Sequence, residues 1–189
     1  MKFPKFITPN SLTLGRIALI PFGVYALFKN GGDDYTWQII SWWIFFLLGM
    51  TDIYDGKLAR SRGQVTELGK FLDPVADKAL IGAAMISLAI LDRFPWWMVA
   101  VILTREIGIT IFRLSVASKG VIAANRGGKI KTLMQNFGVS FYVLPLSPSL
   151  YGARDAFMYV AIILTIVTGA YYVRSAFGKG SWSWQSLKK

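Results

Sequence analysis

Four aspartates stand where apolar segments end, in a chain with only ten acidic residues in all: Asp52, Asp55, Asp73 and Asp77. If these segments are helical, the first two acids share one helix face and the last two share another. Four carboxylates at the edge of a bilayer repel one another and are costly to desolvate, so they require cations. Oxygen ligands of this kind suit two hard divalent ions. The alternative is a surface network of ion pairs with the nearby bases Lys57, Arg60, Arg62 and Lys70.

The spacing from Asp52 to Asp77 is Asp-x2-Asp-Gly-x2-Ala-Arg-x8-Gly-x3-Asp-x3-Asp. Gly56 and Ala59 share the face of the first two acids and leave room for a ligand against the backbone. The pattern resembles, without departure, the signature of the CDP-alcohol phosphotransferases. The resemblance implies two Mg²⁺ or Mn²⁺ ions per site, a homodimer, and Asp77 as the base. The chain has no histidine, so a carboxylate base is also what the composition favours.

The composition predicts an integral membrane protein. Of 189 residues, 54% are hydrophobic and 15% aromatic, and the mean hydropathy is +0.46. We therefore expect an all-α integral membrane protein, a single domain over residues 1–189 that forms a bundle of six transmembrane helices. The net charge of +11 predicts contact with anionic membrane lipid and not with nucleic acid. Cysteine is absent, which excludes thiolate chemistry.

The pattern of apolar runs places the elements. Residues 1–10 are expected to form an amphipathic arm on the membrane surface. Asn10 or Ser11 is expected to cap the first helix. Residues 175–189 are expected to form a basic tail. Residues 118–131 are expected to form a basic loop, and Trp42 and Trp43 to face lipid or its interface. The expected spans are about 11–28, 37–58, 70–91, 96–117, 132–146 and 155–173.

Positive charge orients the predicted bundle. One side would carry Lys2, Lys5, Lys57, Arg60, Arg62, Lys70, Lys119, Arg126, Lys129, Lys131, Arg174, Lys179, Lys188 and Lys189. The opposite loops would carry only Lys29, Arg93 and Arg154. Positively charged loops stay in the cytoplasm, so both termini and the aspartates are expected on the cytoplasmic side of a bacterial plasma membrane.

A second set of residues is expected to bind the CDP-linked lipid. Asn10, Thr13 and Arg16 lie at helical spacing on one face, although Arg16 could instead extend to lipid phosphates. The resemblance implies that Asn10 and Thr13 border the cytidine nucleotide, and that Thr66 matches a position beside it. Arg60 would hold the pyrophosphate. The predicted CDP-lipid contacts are Asn10, Thr13, Gly56, Ala59, Arg60 and Thr66.

Intramembrane charge marks a third set. Arg105 and Arg113 lie eight residues apart on roughly one face, which suits an anionic group, although both could pair with acids or with Glu106. Glu106 follows Arg105 directly, so these two point about 100° apart and are not expected to pair on the helix surface. Glycerol 3-phosphate is a dianion that needs several cations. The predicted acceptor contacts are Arg105, Arg113, Lys129 and Lys131.

Three short stretches resemble the bacterial phosphatidylglycerophosphate synthases, a branch of the same family. They are Thr104-Arg105-Glu106-Ile107 with Arg113, then Gly128-Lys129-Ile130-Lys131-Thr132-x2-Gln135, and Thr168-Gly169-x-Tyr171. The expected reaction transfers the phosphatidyl group of CDP-diacylglycerol to glycerol 3-phosphate and releases CMP. In this mechanism two ions bridge the pyrophosphate while a hydroxyl attacks phosphorus in line.

Two alternatives remain at this stage. A cardiolipin synthase of the same superfamily would use phosphatidylglycerol as acceptor. A membrane transporter would also carry intramembrane arginine and aspartate. Against a transporter, the acids gather near one face instead of lining a path, and no inverted repeat is visible in the sequence.

Overall fold

The computed structural model describes residues 9–62, 67–116 and 126–177, and in these ranges every regular element is helical. The helices are α1 (Pro9–Phe28), α2 (Tyr35–Arg62), α3 (Glu67–Ile90), α4 (Trp96–Val116), α5 (Arg126–Val143) and α6 (Tyr151–Phe177). Short 3₁₀ turns at Lys29–Gly32 and Pro148–Leu150 precede α2 and α6. The all-α class and the number of helices are thus as expected.

Two stretches of the described chain are long and apolar enough to cross a membrane, Ser11–Gly32 and Pro148–Tyr171. Large apolar side chains also cover the outside of the bundle, among them Leu19, Phe22, Leu47, Ile111, Ile163 and Val167. An apolar exterior of this extent favours contact with lipid. Both observations support a location in a membrane.

The connection between α1 and α2 is closed by its own side chains. Asn30 and Gly31 adopt positive φ angles of 54° and 76°, which a short polar residue and glycine tolerate. Asp34 then caps α2, because its carboxylate accepts hydrogen bonds from the Asn30 side-chain amide at 2.8 Å and the Trp37 backbone N–H at 3.1 Å. These two bonds lower the pKa of Asp34 below its usual range.

The core lies where α3, α4, α5 and α6 meet. The completely buried residues at its centre are Met85, Leu88, Met98, Ile102 and Met158. α1 packs against α2 and α3, and its residue Leu27 belongs to the same core. Trp42 joins α2 to α5, since its indole N–H donates to Ser140 Oγ at 2.6 Å. Trp42 therefore faces inward, contrary to expectation, whereas Trp43 is half exposed.

Several helices extend beyond the apolar runs that predicted them. α5 begins at Arg126, so Lys131 lies in a helix and not in the expected loop 118–131. α1 begins at Pro9, before the expected cap and inside the expected arm, and α6 continues to Phe177, inside the expected tail. Hydropathy marks where a chain leaves the apolar layer, but helical hydrogen bonding continues into polar surroundings.

Candidate active site

Asp73 and Asp77 lie one turn apart on the same face of α3, and both are partly buried. Ala76, between them, is completely buried, and Gly69, one turn before Asp73, is buried as well. The Thr13 hydroxyl of α1 donates to Asp73 Oδ1 at 2.9 Å. The side chain predicted to border the nucleotide is thus bonded to a predicted metal ligand, and its contact with the nucleotide stays a prediction.

The other half of the signature lies in the C-terminal part of α2, which packs against α1 and α3. Its residues are helical as expected, so Asp52 and Asp55 occupy one helix face together with Gly56 and Ala59. Their side chains and that of Arg60 are outside the described set, as is the side chain of Asn10 in α1. Thr66 lies in the segment 63–66, outside the described residues.

Both aspartate pairs lie within about three turns of the break between α2 and α3, because α2 ends at Arg62 and α3 begins at Glu67. Among the described side chains, no three metal-ligating groups converge. The described pair, Asp73 and Asp77, is one half of the predicted set of four. Carboxylate oxygens alone make up this set, which is the chemistry that Mg²⁺ and Mn²⁺ prefer.

Arg16 is held inside the protein beside this site. Its side chain is 2% exposed, and its Nε–H donates to Thr51 Oγ1 at 3.2 Å. The Thr51 hydroxyl in turn donates to the Leu48 carbonyl at 2.6 Å. Arg16 therefore does not extend to the lipid surface, which removes that alternative. Sequence reasoning missed Thr51, although its position directly before Asp52 was a usable signal.

A second polar cluster joins α4, α5 and α6. Arg105 Nη1 donates to Glu106 Oε1 at 2.9 Å, and Arg105 Nη2 donates to Thr168 Oγ1 at 3.1 Å. Lys131 Nζ donates to the same Glu106 oxygen, and the Lys131 side chain is 2% exposed. We call Arg105, Glu106, Lys131 and Thr168 the cation cluster.

The contact between Arg105 and Glu106 confirms the alternative that Arg105 pairs with Glu106, and it contradicts the expectation that two adjacent residues cannot do so. Their Cα–Cβ bonds do diverge by about 100°, but both side chains are long and both are mostly buried. The Lys131 side chain reaches the same carboxylate from α5, so both cations donate to Glu106 Oε1. Gly169 of α6 packs beside Arg105, since a Cβ atom at this position would lie 3.4 Å from Arg105 Cγ, an ordinary van der Waals distance.

The cation cluster contains two positive charges and one negative charge. It also lies near Asp77 and Lys78 of α3, since the Asp77 carboxylate acts electrostatically on Lys131 and the Lys78 ammonium acts on Glu106. Sequence reasoning left open that Arg105 pairs with Glu106, but it missed Lys131 as the second partner of Glu106 and Thr168 as the hydroxyl that holds Arg105. The Thr168-Gly169 motif was the available signal.

The remaining predicted acceptor residues are placed by their backbones only. Arg113 lies in α4 about two turns after Arg105, and Lys129 lies in the first turn of α5. Their side chains are outside the described set. The structure therefore brings Arg105 and Lys131 together and leaves the contacts of Arg113 and Lys129 as predictions.

The fold and the site together define a class of protein: a helical bundle that has paired carboxylates and a buried cation cluster. The crystal structure of Mycobacterium tuberculosis phosphatidylinositol phosphate synthase in apo form has the same fold. It superposes with a TM-score of 0.69 at 18% sequence identity and covers 94% of each chain. This likeness shows the fold alone.

The sequence comparisons then establish the family. The model of the CDP-alcohol phosphatidyltransferase family matches residues 6–167, and the chain belongs to this family. A Mycobacterium tuberculosis protein named probable phosphatidylglycerophosphate synthase is 47% identical over 167 residues, 88% of this chain and 80% of that one.

Two further relatives bear the name CDP-diacylglycerol–glycerol-3-phosphate 3-phosphatidyltransferase. The Bacillus subtilis protein is 40% identical and covers 97% of this chain and 98% of its own length. The Haemophilus influenzae protein is 35% identical and covers 92% of this chain and 95% of its own. The family resemblance that the aspartate spacing indicated is confirmed.

Proposed function

We propose that this enzyme transfers the phosphatidyl group of CDP-diacylglycerol to glycerol 3-phosphate, producing phosphatidylglycerophosphate and CMP. The names of relatives from three bacterial genera, 35–47% identical, support this reaction. The structural observation that carries it is the cation cluster, a buried group with excess positive charge near Asp77 of α3.

The acceptor's phosphate explains why such a cluster is needed. A phosphomonoester is close to a dianion at neutral pH, and a pocket for it needs several fixed cations. Arg105 is suited to this because Glu106 and Thr168 hold its guanidinium in one orientation. Arg113 and Lys129 lie on the same two helices as Arg105 and Lys131 and would add positive charge to the pocket. An uncharged acceptor would not require this arrangement.

Asp52, Asp55, Asp73 and Asp77 would hold the divalent metal, which we propose to be two ions of Mg²⁺ or Mn²⁺. Their all-oxygen donor set fits such ions. When bound, the metal would neutralise the pyrophosphate of the CDP-lipid and so make CMP a better leaving group.

The chain's own residues then position the reaction. Thr13 holds Asp73 in place through its hydrogen bond. Asp77 accepts the proton of the attacking hydroxyl, because the chain contains no histidine. As the hydroxyl oxygen bonds to the phosphatidyl phosphorus, the bond from that phosphorus to the CMP oxygen breaks, and CMP leaves with the electron pair. Lys131, within electrostatic range of Asp77, anchors the acceptor close to this base.

The CDP-lipid would lie against α1 and α2. Arg60 would hold its pyrophosphate, while Gly56 and Ala59 would let the nucleotide approach the backbone of α2. Asn10, Thr13 and Thr66 would border the cytidine. The helical backbone at Asn10 and Thr13 of α1 and at Gly56, Ala59 and Arg60 of α2 supports this arrangement.

We further propose that all six helices cross a bacterial plasma membrane, with both termini and the active site on the cytoplasmic side. The helices contain 18 to 28 residues, about the length that a bilayer requires. The distribution of lysine and arginine supports the orientation. A homodimer is proposed from the family resemblance.

The experiment supplies purified protein with labelled CDP-diacylglycerol and one acceptor at a time: glycerol 3-phosphate, phosphatidylglycerol, inositol phosphate or serine. We expect CMP release and labelled phosphatidylglycerophosphate with glycerol 3-phosphate, in the presence of Mg²⁺ or Mn²⁺ and not after chelation. Cardiolipin formed from phosphatidylglycerol would instead identify a cardiolipin synthase. An absence of CMP release with every acceptor would favour a transporter.

A further inference from the structure

Gln135 is a buried side chain of α5 that the mechanism above leaves unused. It lies one helical turn after Lys131 on the same face of α5 and is 2% exposed. Its carbonyl oxygen Oε1 has no hydrogen-bond partner. Buried polar atoms are nearly always paired in folded proteins, so such an atom indicates a site for another molecule.

The only other buried side-chain polar atom without a partner, within the described residues, belongs to the cation cluster itself. It is Arg105 Nε, whereas both terminal nitrogens of the same guanidinium are engaged by Glu106 and Thr168. One unpaired atom is thus a donor and the other an acceptor. A hydroxyl group can accept from an N–H and donate to a carbonyl, so an alcohol is a group that matches either atom.

Glycerol 3-phosphate has one such hydroxyl to spare. In the proposed function, its phosphate binds the cations and its primary hydroxyl attacks phosphorus beside Asp77. The secondary hydroxyl, on the carbon between them, has no assigned partner. A site that lies between the phosphate anchor and the base must therefore accommodate this group.

We propose that Gln135 is a specificity residue whose side-chain oxygen accepts a hydrogen bond from the secondary hydroxyl of the acceptor. This inference rests on the proposed function and names a contact within its acceptor pocket. An acceptor without that hydroxyl leaves the Gln135 oxygen unpaired and buried, and is rejected for that reason.

The test compares glycerol 3-phosphate with 3-hydroxypropyl phosphate, which keeps the phosphate and the primary hydroxyl but lacks the secondary one. We expect kcat/KM of the unaltered enzyme to favour glycerol 3-phosphate by about tenfold to a hundredfold. In Gln135→Leu this preference falls to about threefold or less, mainly because kcat/KM for glycerol 3-phosphate decreases. Gln135→Met, an unbranched apolar side chain of similar length, is a second variant that fits the same helix position.

Gln38→Leu is the matched control. Gln38 is also a buried glutamine, 6% exposed, but its amide donates to the Gly32 carbonyl at 2.7 Å at the opposite end of α2 from the aspartates. We expect this variant to be less stable and to keep the full preference.

Two outcomes would overturn the inference in distinguishable ways. If both Gln135 variants keep the full preference while their thermal stability changes, the oxygen serves the fold or a bound water, and the proposed function stands. If glycerol 3-phosphate is not an acceptor at all, the proposed function fails together with the inference.

Discussion

Thr13 and Asp73 are 60 residues apart in sequence, and the Thr13 hydroxyl donates a 2.9 Å hydrogen bond to Oδ1 of the Asp73 carboxylate. Thr13 is 1% exposed, so this bond is protected from water. It joins α1 to α3 at one of the four predicted metal ligands and restricts the orientation of that carboxylate.

Replacing Thr13 with valine removes the donor while keeping the shape of the side chain. We expect activity to fall by about tenfold, because a hydrogen bond to a charged group contributes about 1.5–3 kcal/mol. The Mg²⁺ concentration for half-maximal activity should rise as well, since Asp73 is no longer held. A metal titration of the activity checks this.

Thr165→Val is the matched control for that change. Thr165 is completely buried, but its hydroxyl donates within α6 to the Ala161 carbonyl at 2.7 Å. The metal requirement of this variant should be unaltered. A Thr13→Val enzyme with the unaltered metal requirement would contradict the positioning role.

Asp77→Asn tests the base. We expect turnover to fall by about a thousandfold, because the amide cannot accept the hydroxyl proton, while binding of the CDP-lipid persists. CMP release and CDP-diacylglycerol binding are measured separately. Asp92→Asn, at an exposed position with a φ of 54° that asparagine tolerates, should retain full activity. A fully active Asp77→Asn enzyme would refute the assignment.

Arg113→Ala tests the acceptor pocket. Loss of one cation should raise KM for glycerol 3-phosphate by about tenfold or more and should change KM for the CDP-lipid far less. Steady-state kinetics with each substrate varied in turn measures both. Arg93→Ala is the control and should leave both KM values unchanged. Arg93 lies in the connection between α3 and α4 and pairs at 2.8 Å with Asp33, in the connection between α1 and α2. Equal changes in both KM values would remove Arg113 from this pocket.

Glu106→Gln leaves two buried cations with no neutralising charge. We expect a loss of about 3 kcal/mol in stability, seen as a lower midpoint of thermal unfolding in detergent. Adding Lys131→Met should restore part of the loss, because the second change removes one of the uncompensated charges. Strictly additive effects of the two substitutions would show that Glu106 and Lys131 are not coupled.

Asp34 makes part of the stability depend on pH. The Asn30 amide and then the Trp37 N–H hold the pKa of Asp34 below its ordinary value of 3.8. The stability that the charged Asp34 carboxylate contributes is therefore complete above its pKa in the unfolded chain. It is lost as the pH falls through its lower pKa in the folded protein. The difference in unfolding midpoint between the unaltered protein and Asp34→Ala should be full at neutral pH and shrink below 3.8. A constant difference at all pH values would show that the charge has no part in capping.

The sequence alone determined the helical class, the number of helices and the family. These features depend on local patterns: long apolar runs that predict membrane helices, and acids spaced at three and four residues on helix faces. The three-residue spacing between Thr13 and Arg16 correctly predicted that they share one face of α1, and both side chains are buried. Helix ends were less predictable, because hydropathy changes before the backbone hydrogen bonding does.

Only the tertiary structure decided which side chains from different helices meet. Glu106 joins Arg105 to Lys131 because α4 and α5 bring their polar faces to one point, and Trp42 faces inward because Ser140 of α5 lies within reach. The unpaired oxygen of Gln135 is visible only once the neighbouring helices enclose it. Contacts between distant segments depend on how whole helices pack, and residue spacing along one helix carries no information about its neighbours.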